Sequence, residues 1–92
     1  MFDLKGRVAL VTGGNGGIGL GMARGLAEAG AAIAIAGRNR AKSEAAAADL
    51  AKLGVKTAVL TANVTDEAQC RQLVDDTVAR LGRLDILINN AG

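Results

Sequence analysis

The sequence predicts an α/β fold, in which helices cover both faces of a parallel β-sheet. Short runs of consecutive apolar residues alternate along the chain with segments that have the apolar spacing of helices. A strand that is apolar on both faces needs cover on both faces, and the crossover helices of a parallel sheet provide it. Half of the 92 residues are hydrophobic and the net charge is only +2, so we expect one small folded domain rather than disorder.

Four strands and three helices are predicted in strict alternation. The strands are expected at residues 7–12, 32–36, 55–60 and 84–88, and the helices with their caps at residues 18–29, 39–53 and 65–81. Asn39 and either Thr65 or Asp66 are suited to cap a helix, because their side chains accept hydrogen bonds from free backbone N–H groups. A glycine follows each helix and is expected to end it.

The apolar spacing within each helix predicts the side that faces the sheet. In the first helix this side is formed by Ile18, Met22, Leu26 and Ala29. In the third helix it is formed by Cys70, Leu73, Val74, Thr77 or Val78, and Leu81. Cys70 is therefore interpreted as a buried small hydrophobe rather than as a reactive thiol. The second helix is rich in alanine and has a weak apolar stripe.

The order of the strands follows from the handedness of their connections. Right-handed crossovers place the first two helices on one face of the sheet, and the third helix, which returns past the first strand, on the other face. The predicted strand order is 3-2-1-4, with a switch point between the first and fourth strands. Ligands of such sheets bind outside the carboxyl ends of the strands at that point.

The composition excludes several functions. The chain has no His, Tyr or Trp, one Phe and one Cys. These counts exclude a disulfide within the chain, catalysis by an imidazole base and base stacking on aromatic side chains. They also nearly exclude a zinc site. The small positive charge gives little support for a nucleic-acid or membrane partner. The start does not resemble a signal peptide and no run could span a bilayer, so we expect a cytoplasmic protein with a reduced thiol.

A glycine-rich turn joins the first strand to the first helix at the predicted switch point. It carries five glycines within seven residues, and it matches G-x-G-x-x-G from Gly14 and G-x-x-x-G-x-G from Gly13. Glycines there permit a tight turn, let backbone N–H groups approach a pyrophosphate, and let the helix pack close to the strand. The positive end of the helix dipole stabilises the anion. The turn therefore predicts binding of nucleotide phosphate; the alternative is a turn that only eases packing.

Four motifs give the chain a family resemblance. They are Thr12-Gly13-x-x-x-Gly17-x-Gly19, Gly37-Arg38 at the end of the second strand, Asn63-Val64 after the third, and Asn89-Asn90-Ala91-Gly92 after the fourth. With these motifs the whole chain resembles the short-chain dehydrogenase/reductase family. The resemblance implies a Rossmann-type fold, here ending after the fourth strand, and an NAD(P)-dependent oxidoreductase that acts on an alcohol or carbonyl. Sugar, sugar-acid and oxoacyl reductases of the family are resembled about equally.

The end of the second strand predicts which cofactor is preferred. An NAD-specific site places an acid there, which accepts hydrogen bonds from the ribose hydroxyls. This chain has Gly37 followed by Arg38, so no carboxylate would repel a 2′-phosphate, and a guanidinium is available to bind one. Arg40 and Lys42 add positive charge nearby. We therefore expect NADP(H) to be preferred and NAD(H) to remain possible; the alternative is that Arg38 is merely a solvated charge.

Two features weaken or modify that cofactor site. A second basic residue within the glycine turn would strengthen the NADP preference, but Asn15 and Gly16 are neutral. The family usually has aspartate where this chain has Asn63. Asparagine keeps an acceptor oxygen for the adenine amino group but loses the negative charge. The alternative is that Asn63 merely ends a strand. By the resemblance, the predicted cofactor-binding residues are Gly13, Gly14, Asn15, Gly16, Gly17, Ile18, Gly19, Gly37, Arg38, Asn39, Asn63, Val64, Asn89, Ala91 and Gly92. No catalytic or metal-binding residue is predicted.

The catalytic residues that the resemblance implies are not among these 92 residues. A serine, a Tyr-x-x-x-Lys pair and a further asparagine would all follow Gly92, and Ser43, in the second helix, is not a candidate. Residues 1–92 are therefore expected to form a dinucleotide-binding domain that is incomplete relative to the family and inactive alone. Three hypotheses stay open: the amino-terminal part of a reductase, a stand-alone nucleotide-binding module, and a half-fold that persists by self-association.

Self-association is expected from the predicted topology. The fourth strand would lie at the edge of the sheet with apolar side chains on both faces, and only the third helix would cover one of the two faces. An unpaired edge and an apolar patch both favour contact with another chain. The contact is expected at the fourth strand or at the face beside Leu73 and Val78. The alternative is that the fourth strand frays and the remaining layers stand alone.

Overall fold

The fold was determined as a computed structural model, which describes residues 3–13, 16–62 and 66–90. Its elements are β1 (Val8–Thr12), α1 (Gly17–Glu28), β2 (Ala32–Gly37), α2 (Arg40–Ala51), β3 (Thr57–Thr61), α3 (Glu67–Leu81) and β4 (Ile86–Asn89). The predicted alternation is confirmed. Both β3 and β4 begin two residues later than the apolar pattern indicated.

The four strands form one parallel sheet in the order β3-β2-β1-β4, as predicted. β1 is central and pairs with β2 on one side and β4 on the other, so that Leu10 lies opposite Ala34 and Leu87. Every residue of β1 is buried, in agreement with its continuous apolar sequence. The switch point therefore lies between β1 and β4, at the carboxyl edge of the sheet.

The core has two layers, one on each face of the sheet. Alternate residues of β1 and β2, such as Val11 and Ile35, pack beneath α1 and α2 together with Leu50. The intervening residues, such as Leu10, pack with Leu73 of α3 on the opposite face. Two helices thus cover one face and one helix covers the other, which is the arrangement that right-handed crossovers predicted.

The predicted sheet-facing side of α1 is wrong at Ile18 and Met22. Ile18 is 72% exposed and Met22 is 43% exposed, whereas the buried residues of the helix are Gly19, Ala23 and Ala27. These three small residues are spaced by four positions and therefore share one face of the helix. They let α1 approach the sheet so closely that a larger side chain would not fit. Apolar spacing alone favoured the large residues; Ile18 and Met22 are largely exposed, and Leu26 packs at the edge of the core as predicted.

The caps of α2 and α3 follow the sequence prediction. The Asn39 side chain accepts a hydrogen bond from the Lys42 N–H at 3.0 Å, and that of Asp66 accepts from the Ala68 N–H at 2.9 Å. Gly82 ends α3 with a left-handed backbone (φ +90°). Thr65, the alternative cap of α3, lies outside the described residues.

The inner face of α3 agrees only in part with its prediction. Leu73 and Thr77 are buried, whereas Val78 is 42% exposed, so Thr77 is the member of that predicted pair that faces inward. Its hydroxyl donates to the Leu73 carbonyl at 2.7 Å, which satisfies the buried polar group. Cys70 was expected to be buried and is half-buried, at the rim of the core.

The strand β4 closes the described sheet on the side away from β3. At its start the Asp85 carboxylate accepts a hydrogen bond from the Val8 N–H at 2.9 Å, while the Asp85 N–H donates to the Val8 carbonyl at 2.9 Å. Leu87 points to the face that α3 covers incompletely and is 55% exposed. None of the helices that the structure describes is long and apolar enough to cross a membrane.

Candidate functional site

The carboxyl ends of β1, β2 and β4 meet at one edge of the sheet. Thr12 pairs with Ala36 in β2 and with Asn89 in β4, so the three strands end side by side. The segments that follow these strands carry the glycine turn, Arg38 and Asn90. Residues that are distant in the sequence are thus gathered at the switch point, where ligands of such sheets bind.

Two glycines of the turn have a backbone that only glycine adopts readily. Gly13 has φ +69° and Gly17 has φ +57°, both in the left-handed region. The Gly13 N–H donates to the Ala36 carbonyl at 2.9 Å, which joins the start of the turn to the end of β2. The helix α1 begins at Gly17, beside the carboxyl edge of the sheet, so its first N–H groups lie at that edge.

Gly19 is required for a different reason, which is space. A Cβ atom placed on Gly19 would overlap the Gly13 carbonyl oxygen and would lie 2.9 Å from Nδ2 of Asn90. The first turn of α1 therefore rests directly on the end of β1 and on the segment after β4. This contact is the close packing of helix and strand that a pyrophosphate-binding turn needs.

A hydrogen-bond network around Thr12 locks β1 to β4 beneath the turn. The Thr12 hydroxyl lies 2.9 Å from Oδ1 of Asn89 and donates to it, and the Asn90 N–H donates to the same hydroxyl oxygen at 3.1 Å. The side-chain oxygen of Asn89 therefore accepts a hydrogen bond from within the sheet. Sequence reasoning did not include Thr12 or Asn90 among the site residues, although both stand in the quoted motifs. Their part is to hold the floor of the site.

The segment after β2 forms the second wall of the site. Arg38 and Asn39 are exposed there, and the Asn39 side-chain oxygen is occupied in capping α2. Lys42, in the first turn of α2, reaches back to the glycine turn: a Cβ atom placed on Gly16 would lie 3.2 Å from its Nζ. The sequence indicated only that Lys42 adds positive charge nearby. The structure brings that charge against the turn itself.

The charges that α2 brings to the site are positive, whereas Glu67 of α3 lines the cavity beside Thr12 and Asn89. The first turn of α2 contains Arg40 and Lys42 and no acidic residue. Arg40 lies 3.8 Å from Glu44 in an exposed ion pair. By contrast, Asp85 lies at the opposite, amino-terminal edge of the sheet, where hydrogen bonds from Arg83 and from the Val8 N–H lower the pKa of its carboxyl. That carboxylate fastens β4 to β1 and is far from the site.

The described residues contain part of the predicted site. Gly13, Gly16, Gly17 and Gly19 are brought together in the turn, with exposed Ile18 between them. Gly37 ends β2, Arg38 and Asn39 follow it, and Asn89 ends β4. The other predicted site residues lie outside the described residues: Gly14, Asn15, Asn63, Val64, Ala91 and Gly92.

Comparison with known proteins agrees with this architecture. Residues 7–92 match the sequence profile of the family described as short chain dehydrogenase. An NADP-dependent mannitol dehydrogenase of Alternaria alternata is 44% identical over 96 aligned residues, which cover 100% of this chain and 36% of that protein. The chain thus spans about a third of the length of its curated relatives, at their amino-terminal end.

Two solved structures show the same fold with different cofactors. L-Sorbose reductase of Gluconobacter frateurii, complexed with NADPH and L-sorbose, superposes with a TM-score of 0.93 and is 35% identical; the match covers 99% of this chain and 35% of that one. NAD⁺-bound xylitol dehydrogenase superposes with a TM-score of 0.92 and is 43% identical, and the match covers 97% and 34% of the two chains. Similar chains therefore occur with either dinucleotide.

Proposed function

Because this chain belongs to the short chain dehydrogenase family, we propose that its 92 residues form the amino-terminal, dinucleotide-binding part of an oxidoreductase. In the whole protein the reaction would be hydride transfer between a nicotinamide cofactor and an alcohol or carbonyl. The observation that carries the proposal is the packing of α1 onto β1 at Gly19, which leaves room for no side chain there. A turn that only eased packing would not also lie at the switch point of the sheet.

The residues present fit a dinucleotide. The N–H groups at the start of α1 are suited to a pyrophosphate, because they are unpaired within the helix and carry its positive dipole. We propose that the cofactor is bound by Gly13, Gly14, Asn15, Gly16, Gly17, Ile18, Gly19, Gly37, Arg38, Asn39, Asn63, Val64, Asn89, Ala91 and Gly92. When bound, the nicotinamide supplies or accepts the hydride. The chain's own part is to bind and orient the dinucleotide, since its 92 residues contain no tyrosine.

We further propose that NADP(H) is preferred over NAD(H). The end of β2 carries no carboxylate to repel a 2′-phosphate, and Arg38 is exposed directly after it. A charge-assisted hydrogen bond from Arg38 would contribute about 1.5–3 kcal/mol, which is about 10- to 100-fold in affinity. The relatives with NADPH and with NAD⁺ have closely similar folds, so the preference rests on these side chains rather than on the fold.

Titration calorimetry of the 92-residue polypeptide tests both proposals. The unchanged chain should bind NADP⁺ more tightly than NAD⁺, and Arg38→Ala should remove the difference while leaving NAD⁺ binding in place. Arg80→Ala is the matched control, because Arg80 is an exposed arginine in the last turn of α3, away from Thr12 and Asn89. Equal affinities of the unchanged chain for the two dinucleotides would refute the preference. The absence of binding to either would refute the function and favour a purely structural half-fold.

We also propose that the isolated polypeptide self-associates. A cavity of about 230 Å³ opens between α3 and the sheet, where Leu10, Leu73 and Leu87 contribute apolar surface. The adjacent β4 is the last strand on its side of the sheet within the part of the chain that the structure describes. In the whole protein the remaining two thirds of the length would cover this surface; in the isolated polypeptide a second copy would do so. We also propose that the protein is cytoplasmic, where the Cys70 thiol would remain reduced.

A further inference from the structure

We propose that Lys42 is a second specificity-determining residue of this site, which binds the 2′-phosphate of NADP(H) together with Arg38. The glycine turn itself offers no basic side chain, and Lys42 brings an ammonium group to the turn from α2. This inference rests on the proposed function and states how that site distinguishes a 2′-phosphate from a ribose hydroxyl.

The position of Lys42 is defined by what surrounds Gly16. A Cβ atom placed on Gly16 would lie 3.1 Å from Cε and 3.2 Å from Nζ of Lys42. Chain neighbours apart, Lys42 is the only described residue within 4 Å of that Cβ position. The backbone of Gly16 is extended (φ −177°, ψ 168°), which any residue can adopt. Glycine at position 16 is therefore not needed for the backbone, and the end of Lys42 occupies the space that a side chain there would take.

The first turn of α2 holds Lys42 in this place. The Asn39 side chain accepts from the Lys42 N–H at 3.0 Å, which makes Lys42 the third residue of the helix. Ser43 and Leu50 are buried against the sheet and fix the rotation of the helix about its axis. An ion pair between Arg24 and Asp49 joins α1 to α2 and keeps the two helices side by side. Lys42 therefore points across to the start of α1.

The electrostatics of this arrangement call for an anion. The first turn of a helix is its positive end, so a lysine there is repelled by the helix dipole. The ion pairs among the described residues include Arg40 with Glu44 but none that involves Lys42. Across from Lys42 stands the start of α1, a second positive helix end. A phosphate between them would bind to Lys42 and would offset both dipoles.

The 2′-phosphate is the group that best fits this location. The adenosine ribose of a dinucleotide lies at the end of the second strand in such folds, and the pyrophosphate lies on the N–H groups of the first helix. Lys42 reaches the turn from the side of β2, where Arg38 also lies. It therefore stands between the ribose side of the site and the glycine turn. An ammonium on a flexible stem binds phosphate as a point charge and needs no fixed bidentate geometry.

The test compares 2′,5′-ADP with AMP, which differ only in the 2′-phosphate, by calorimetry on the 92-residue polypeptide. Lys42→Ala should weaken 2′,5′-ADP binding by about tenfold and change AMP binding by less than twofold. The matched control is Lys52→Ala, which removes the same charge at the far end of α2 and should leave both affinities unchanged. Thermal melting followed by circular dichroism checks that each variant folds.

A relocation variant makes the test independent of losses caused by misfolding. Gly16→Lys combined with Lys42→Ala supplies an ammonium group to this side of the site from the turn, which the extended backbone at position 16 permits. This double variant should recover most of the lost affinity for 2′,5′-ADP. Recovery cannot come from a damaged fold, so it would support the assignment directly.

Three results would overturn the inference. If Lys42→Ala left 2′,5′-ADP binding unchanged, Arg38 alone would bind the 2′-phosphate and the proposed function would stand. Equal weakening of 2′,5′-ADP and AMP would place Lys42 at the 5′-phosphate instead. If the unchanged chain bound neither nucleotide, the proposed function itself would fail, and the inference would fail with it.

Discussion

Replacing Gly19 by alanine adds one methyl group at the tightest contact of the site. That methyl group would overlap the Gly13 carbonyl oxygen, and a backbone oxygen at the end of a buried strand cannot rotate away as a side chain does. Overpacking of this kind costs about 1–3 kcal/mol, and we expect the upper part of that range. For a domain of this size the midpoint of thermal unfolding should fall by roughly 10–20 °C. Dinucleotide binding should be lost, because α1 must move off the turn.

The same helix supplies the matched controls. Gly21 and Gly25 lie in exposed positions of α1, and a Cβ atom on either would meet nothing within 4 Å. Alanine there should stabilise the fold by about 0.5–1 kcal/mol, because glycine is a poor helix former. Identical substitutions in one helix are thus expected to act in opposite directions. Urea and thermal unfolding of the three variants decide the matter. The reasoning is refuted if Gly19→Ala is as stable as Gly21→Ala and retains dinucleotide binding.

Three further predictions follow from the same structure. The pKa of Asp85 is lowered from its ordinary value of 3.8, mainly by the hydrogen bond from Arg83. The Asp85 carboxylate therefore stabilises the fold fully above about pH 4, and this stabilisation is lost as the pH falls through the lowered pKa. Asp85→Asn should be less stable than the unchanged chain at pH 7, and urea unfolding at pH 3 should show a smaller difference; a difference independent of pH would contradict this. The 92-residue polypeptide, freed of host reductases, should show no dinucleotide-dependent turnover of alcohols or ketones above background, because it has no tyrosine proton donor. In sedimentation at low micromolar concentration it should form dimers or larger species, and Leu87→Lys should shift it towards monomer; a compact monomer with β4 amides protected in hydrogen exchange would refute self-association.

The contrast between the strands and α1 shows where sequence patterns succeed. The strands of this sheet are buried on both faces, so their continuous apolar runs required no choice of face. In α1 the apolar pattern favoured a face of larger residues, but the residues buried against the sheet are glycine and alanine. Burial of the larger residues would normally contribute more free energy. The short distance from α1 to β1 decided against it, and that distance is a property of the packed sheet.

The sequence by itself determined the fold class, the strand order and the place of the glycine-rich turn, because these depend on local runs, on the handedness of crossovers and on glycine spacing. It also predicted the caps at Asn39 and Asp66, since a cap is a contact between residues two or three positions apart. Only the tertiary structure decided which side of α1 meets the sheet and which cation stands over the glycine turn. Lys42 and Gly16 are 26 positions apart in the sequence, and no periodic pattern joins them. Their proximity arises from the lateral packing of α1 and α2 on one face of a twisted sheet, a geometry that exists only after the whole sheet has formed.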